Sequence, residues 1–265
     1  MYAGFKLSLE TAKTLLPTSG IKSLTVGQNN LEAGKALRQK LEAFLLNDGS
    51  IDATKMLDSW FPSIYRHVFI SHSHKDEEMA IRLATWLQNK FSITSFIDSS
   101  AWGFCDDLLK DLDNQYCYRE STKTYSYEKR NVSTTHVHTL LSVALAMMLD
   151  SCECTIFLNT PNSIKTKDSI ASADTETTSS PWIFSELSVS RLIRRRPLTE
   201  HRQGHVKIAL DEVLGKALSV QYHAPQGHLI QLGLADLQGW QQPSYLTPYS
   251  ALDALYKRHP ILTSK

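Results

Sequence analysis

The sequence has little of what several familiar protein classes require. Its 265 residues include only four cysteines, too few for a disulfide scaffold. Cys105, Cys117, Cys152 and Cys154 follow no paired CxxC spacing of a metal site. They read as free, mostly buried thiols in a reducing compartment. An excess of one charge is also missing. Basic residues number 28 against 27 acidic, a net of +1, so bulk charge gives no support for nucleic-acid or anionic-membrane binding. The longest apolar stretch runs from about Thr139 to Leu149, short of the roughly 20 residues of a membrane helix. The opening MYAGFKLSLETAK has no basic-then-apolar signal architecture. No GxGxxG, P-loop or GxSxG occurs, and there are no internal repeats. What remains is a cytoplasmic globular protein, with an ordinary 42% of hydrophobic residues. Its length suits one large domain, or one of common size with an attached piece.

Residues 1–64 read as helix and loop, a helical extension without a chemical motif. Leu31, Leu37, Leu41 and Leu45 recur at close to the helical period, and 52–60 suits a second short helix before Phe61-Pro62. From residue 65 to 265 the pattern is that of a second unit. His67 to Ser71 is a short apolar strand, and Glu77 to Phe91 a helix with Ala80, Leu83, Ala84, Leu87 and Phe91 on one face. Asp76 suits its N-cap. Ile93 to Asp98 is a second strand, so this is a βαβ unit and a parallel sheet. Asp106 to Gln115 reads as helix, 116–134 as irregular, and His138 to Leu149 as an apolar helix. Thr155 to Asn159 is a third strand. Residues 160–180 read as a polar loop, expected to be mobile and either to gate the neighbouring pocket or to order when protomers associate. Ser180-Pro181 opens a helix that runs to about Arg195. Val206 to Leu210 and Leu218 to Tyr222 are weaker strands, and Tyr249 to Lys257 a terminal helix.

Taken singly, the polar candidates are modest. His72 and His74 form an H-x-H with no carboxylate or cysteine to complete a metal set. His136 and His138 read as solvated. Arg191, Arg194, Arg195 and Arg196 end a helix, where cations suit the dipole. Position adds weight, because ligands of open parallel sheets bind beyond the carboxyl ends of the strands. Those ends are Ser71-His72-Ser73, Asp98-Ser99-Ser100 and Asn159-Thr160. The helix after the third strand carries Trp182 and Glu186, four apart and therefore on one face. An aromatic ring beside a carboxylate suits a base and its ribose. A core tryptophan beside a surface glutamate is the plainer alternative.

At these residues the chain resembles the Toll/interleukin-1 receptor (TIR) family. Val68-Phe69-Ile70-Ser71-His72-Ser73-His74-Lys75-Asp76 is similar to the family's opening box, with His72 where a tyrosine is usual. Phe96-Ile97-Asp98 resembles its FxD before the BB loop, here a short Ser99-Ser100-Ala101-Trp102-Gly103. Ile156 to Asn159, then Ser180-Pro181-Trp182 and Glu186-Leu187, resemble its apolar strand and S-x-W…EL helix. The matches fall in the family's order over residues 66–195. Extra residues stand at about 104–134, and 160–180 is long.

The resemblance implies a flavodoxin-like α/β fold with about five parallel strands. It implies an NAD+ glycohydrolase that cleaves the nicotinamide–ribose bond, giving ADP-ribose or a cyclic isomer, in bacterial antiphage defence. Glu186 takes the catalytic place, and Ser71, His72, Asp98, Trp102, Gly103 and Trp182 the substrate-binding places. NAD+ is then substrate, with no cofactor and no metal. Self-association through TIR domains is implied too, with Trp102 as an interface anchor on the BB loop, and a defence-system partner protein. No membrane or nucleic-acid partner is indicated. Two readings stand beside this one: a non-catalytic TIR interaction module and a TIR-like nucleotide sensor.

Overall fold

The computed structural model describes residues 1–16, 44, 52, 55, 66–97, 99–166, 176–202, 222–223, 226–241 and 243–260. Five strands form one parallel sheet: β1 (Ala3–Ser8), β2 (Val68–Ser71), β3 (Ser95–Ile97), β6 (Cys154–Asn159) and β10 (Ile230–Leu232). Their order is β10-β1-β6-β2-β3, parallel throughout. The part β3-β2-β6 follows the flavodoxin-like order, and the α/β class expected from the sequence holds. β2 is buried along its whole length, as a continuous apolar run in a sheet covered on both faces should be.

Side chains alternate across this sheet. Phe5, Leu7, Val68, Ile70, Ile156 and Leu158 join one core. It is closed by α1 (Leu9–Leu15), α2 (Glu77–Phe91), α7 (Leu234–Gln241) and α8 (Pro248–Arg258). Phe69 and Phe96 point to the opposite face. There they meet α3 (Ser99–Leu112), α4 (Tyr127–Ser151) and α5 (Pro181–Leu192).

Residues 3–16 depart from the helical extension expected over 1–64. β1 pairs with β6 on one side and β10 on the other, inside the sheet. Its Ala3, Phe5 and Leu7 alternate with Gly4, Lys6 and Ser8 at the period of a strand, but the run is only six residues long and passes directly into α1. Gly4 is there for space: a Cβ at that position would lie 2.8 Å from Leu229 Cδ2. The helices expected over 31–46 and 52–60 lie outside the described residues except at Phe44, Asp52 and Lys55. Phe44 is buried in the second core. The strands expected at 206–210 and 218–222 also lie outside, apart from Tyr222, which opens β9 (Tyr222–His223).

Other boundaries move as well. α3 starts at Ser99, so the segment expected to be a BB loop is helical backbone. α4 starts at Tyr127, where the Ser126 hydroxyl accepts the Lys129 N–H at 3.4 Å. A π-helical turn (Asp113–Cys117) and the hairpin β4 (Tyr118–Arg119) and β5 (Thr124–Tyr125) replace the expected irregular stretch. The 160–180 loop is ordered at both ends. β7 (Lys165–Thr166) and β8 (Glu176–Thr178) pair antiparallel, with β9 beside β8, while Thr160, Ser163 and Ile164 are buried. Residues 167–175 are not described.

Two dimensions shape the carboxyl edge of the sheet. α4 has 25 residues, about 37 Å of helix. It turns into β6 after only Cys152 and Glu153, so it runs antiparallel to a strand of about 20 Å. Its first half therefore projects beyond the carboxyl edge. Asp113, just past α3, binds Arg130 and Ser133 near the start of α4 at 2.8 and 2.6 Å. α3 and α4 thus form an antiparallel arm with the β4–β5 hairpin at its tip. Among the described residues α4 is long and apolar enough to cross a membrane by length and composition. Here its Val137, Leu141, Leu145, Met148 and Leu149 pack on the sheet.

The amino edge carries a buried ion-pair cluster. Glu153 is 0% exposed. Both its oxygens accept from Arg202, which ends α6 (Leu198–Arg202), at 2.9 and 3.0 Å. Tyr256 donates its hydroxyl to the same carboxylate at 3.0 Å, and Asp253 accepts from Arg202 at 2.8 Å. The guanidinium lies 4.7 Å from the Tyr249 ring centre. Burial pulls the Arg202 pKa down, but the bonds to Glu153 and Asp253 outweigh it and hold it above its ordinary value.

Two histidines near this edge are held neutral. Burial, then the charges of Arg66 and Arg202, bring His67 down to about 4. Its Nδ1 accepts the Thr94 N–H at 3.1 Å, a bond that protonation there would break. His201 is lowered to about 4, first by burial. Both folded values lie below the ordinary 6.5, so below pH 6.5 the unfolded chain holds more protons. Stability should fall as pH drops from about 6.5 and stop responding to these groups near 4. Halved for partial solvation, the pair should cost about 2 kcal/mol at pH 5. Thermal melts at pH 7 and pH 5 check this, and His67→Gln with His201→Gln should remove most of the difference.

Candidate active site

Strand order places the topological switch point of the sheet between β2 and β6. The chain leaves β2 toward β3 on one side, then returns to β6 on the other, and such switch points are where open α/β sheets bind ligands. Ser71 ends β2 two residues after Phe69, so it faces the same side of the sheet, toward α5. That helix is set by Ser180, whose hydroxyl accepts the Ile183 N–H at 3.3 Å, with Pro181 in the first turn. Ile183, Glu186, Leu187 and Ser190 form its buried face. Ser71 and Glu186 therefore meet. The Ser71 hydroxyl donates to Glu186 Oε2 at 2.5 Å, and the two residues are 1% and 2% exposed. A buried carboxylate needs such a donor, since its desolvation is otherwise costly.

Trp182, one turn earlier on α5, turns toward α4. Its ring stacks on His138, with centroids 5.6 Å apart and planes 27° from parallel. Burial lowers the His138 pKa, opposed by the Asp106 carboxylate. His138 stays exposed, as expected from the sequence, with one ring face against Trp182. His72 is buried beside Ser71. Asp98 lies outside the described residues. Trp102 and Gly103 lie in α3, where only the backbone is described. The structure therefore joins Ser71 with Glu186, sets His72 next to them, and puts Trp182 against His138. Among the described residues no group of three metal-ligating side chains occurs.

A second polar cluster on the same edge was missed from the sequence. Asp76, expected to cap α2, makes no side-chain cap bond. Its carboxylate instead accepts from the Thr160 hydroxyl at 2.5 Å and Asn162 Nδ2 at 2.7 Å. Ser163 Oγ accepts the Thr160 N–H at 2.9 Å and donates to the Leu158 carbonyl at 2.9 Å. Asp76 thus ties the chain leaving β2 to the chain leaving β6, across the switch point. The only cue was Asp76 itself, which suits a cap equally well. Asp76→Ala should cost about 2 kcal/mol by orphaning donors of a charged acceptor. Urea unfolding measures it, and an unchanged midpoint would remove the clamp from the description.

No family model, no curated protein and no solved structure matches this chain.

Proposed function

We propose that the chain is a TIR-like NAD+ glycohydrolase acting at the β2–β6 switch point, with Glu186 as its catalytic carboxylate. The observation that carries this reading is the Ser71–Glu186 pair at the carboxyl end of β2. Loss of nicotinamide needs little acid help, because the group leaves neutral from a cationic ring. The demand is to stabilise the oxocarbenium-like ribosyl centre, and a fixed carboxylate meets it. Ser71 holds that carboxylate in place, and Trp182 offers an aromatic surface one turn away. Water attack gives ADP-ribose, and capture by an atom of the same molecule gives a cyclic isomer. NAD+ is substrate and no cofactor is required. On the resemblance alone, we assign the protein to the cytoplasm and to antiphage defence.

The burial of Glu186 favours a second reading, in which its bond to Ser71 only ties α5 to the sheet. Nicotinamide release from NAD+ by the full chain, beside Glu186→Gln, separates the two. Cleavage that Glu186→Gln abolishes without unfolding supports the enzyme. A variant whose only defect is a lower melting temperature supports the tie.

A further inference from the structure

The arm bears an unusual surface. Tyr116, Tyr118, Tyr125 and Tyr127 are 37%, 38%, 43% and 75% exposed, and Val132 is 58% exposed. All five lie at or near its tip, beyond the sheet. Tyr118 and Tyr125 meet across the hairpin with centroids 5.4 Å apart, and Arg130 sits 5.6 Å from the Tyr125 ring centre. Exposed tyrosine beside arginine is the composition of protein interfaces.

Two features of the arm complement each other. At the tip, residues 118–130, Arg119 pairs with Glu128 at 3.7 Å and Arg130 with Asp113 at 2.8 Å, which leaves exposed Lys123 and Lys129 as the cations facing outward against Glu120. The exposed side of α3 carries Asp106, Asp107 and Asp111 against Lys110. Between them lies an open hollow of about 240 Å³, lined by Asp106, Leu109, Lys110, Asp113, Tyr125 and Arg130 among others. One arm thus presents an aromatic knob, a hollow of side-chain size, a basic end and an acidic flank. A two-fold axis requires such self-complementarity, since each copy offers the same patch.

We propose that the arm is a dimer interface whose occupant is a second copy of this chain. The two arms lie antiparallel, the tip cations of each against the α3 carboxylates of the other. Tyr127 of each copy enters the hollow of its mate. The proposal does not depend on the NAD+ reading, and its test needs no turnover.

The experiment is sedimentation velocity on the full chain at several concentrations and two salt levels. The wild type should reach a dimer that 0.5 M salt weakens, since the contact is charge-complementary. Tyr127→Asp should raise the dissociation constant at least about tenfold, with thermal unfolding unchanged at concentrations where both chains are monomeric, because the side chain is exposed in the single chain. Lys123→Glu with Lys129→Glu should be monomeric, and so should Asp106→Lys with Asp111→Lys. Mixing these two reversed chains should restore a heterodimer, because each tip then faces a flank of opposite sign. A wild type that stays monomeric at every concentration overturns the proposal. So does a dimer that ignores Tyr127→Asp and both reversals, or reversed chains that fail to pair.

Discussion

Glu186→Gln should reduce NAD+ cleavage by at least about 100-fold, the scale for losing one key electrostatic group. The amide keeps the size of the side chain and can still accept from Ser71. The negative charge is what disappears. Ser71→Ala should act through the same carboxylate, by freeing the oxygen it now holds at 2.5 Å. Its loss should be smaller, about 10-fold, and should appear in kcat more than in KM, because the charge survives but is misplaced. Near-wild-type turnover in a folded Glu186→Gln chain would remove Glu186 from the chemistry.

Arg202→Ala should be the most damaging single change to stability. It strips two bonds from a carboxylate with no exposed surface, leaving the Tyr256 hydroxyl as its donor among the described residues. Breaking one partner of a buried pair costs about 3 to 5 kcal/mol, against a total of about 5 to 15 kcal/mol for a typical domain. Replacing both partners, as in Glu153→Met with Arg202→Met, removes the stranded charge and should recover part of that loss, the remainder being the Tyr256 hydroxyl left without its acceptor. Urea unfolding of the wild type, single and double variants would decide it. An Arg202→Ala cost under about 1 kcal/mol would show that the carboxylate finds water or another donor.

What could be read from the sequence followed the strength of local signals. The unit from Val68 to Ile97 was legible because its strands are short apolar runs and its helix keeps one apolar face. Ser180-Pro181 marked the start of α5 because a cap and a first-turn proline act locally. β1 showed only as a short alternation of Ala3, Phe5 and Leu7, and its place inside the sheet was not legible, because its neighbours lie far away in the chain and Gly4 is chosen for Leu229, which no local window contains. The start of α4 was hidden because Tyr127 to His136 lies on the projecting arm and carries few apolar residues at helical spacing. At the site, Glu186 stood out through the resemblance carried by Trp182 and Glu186 after the third strand, since position alone fitted a surface glutamate equally well. Its pairing with Ser71 follows from sheet alternation once β2 is placed. The stacking of Trp182 on His138 depends on the register between α4 and α5, which tertiary packing decides. Asp76 is the clearest ambiguity, since a carboxylate before a helix serves a cap and a long-range clamp equally well.

The central place of β1 also bears on how the chain is made. This strand leaves the ribosome about 150 residues before its partner β6. At synthesis rates of about 5 to 20 residues per second, that is a delay of roughly 8 to 30 s. β10, on its other side, is later still. Throughout that interval the backbone donors and acceptors of Ala3 to Ser8 have no sheet to join, and Phe5 and Leu7 have no core to enter. Contacts so distant in sequence slow folding, and an unpaired apolar strand is a site for mispairing between chains. Nascent-chain proteolysis should therefore find the amino-terminal strand cleavable until β6 has cleared the exit tunnel, and protected after that.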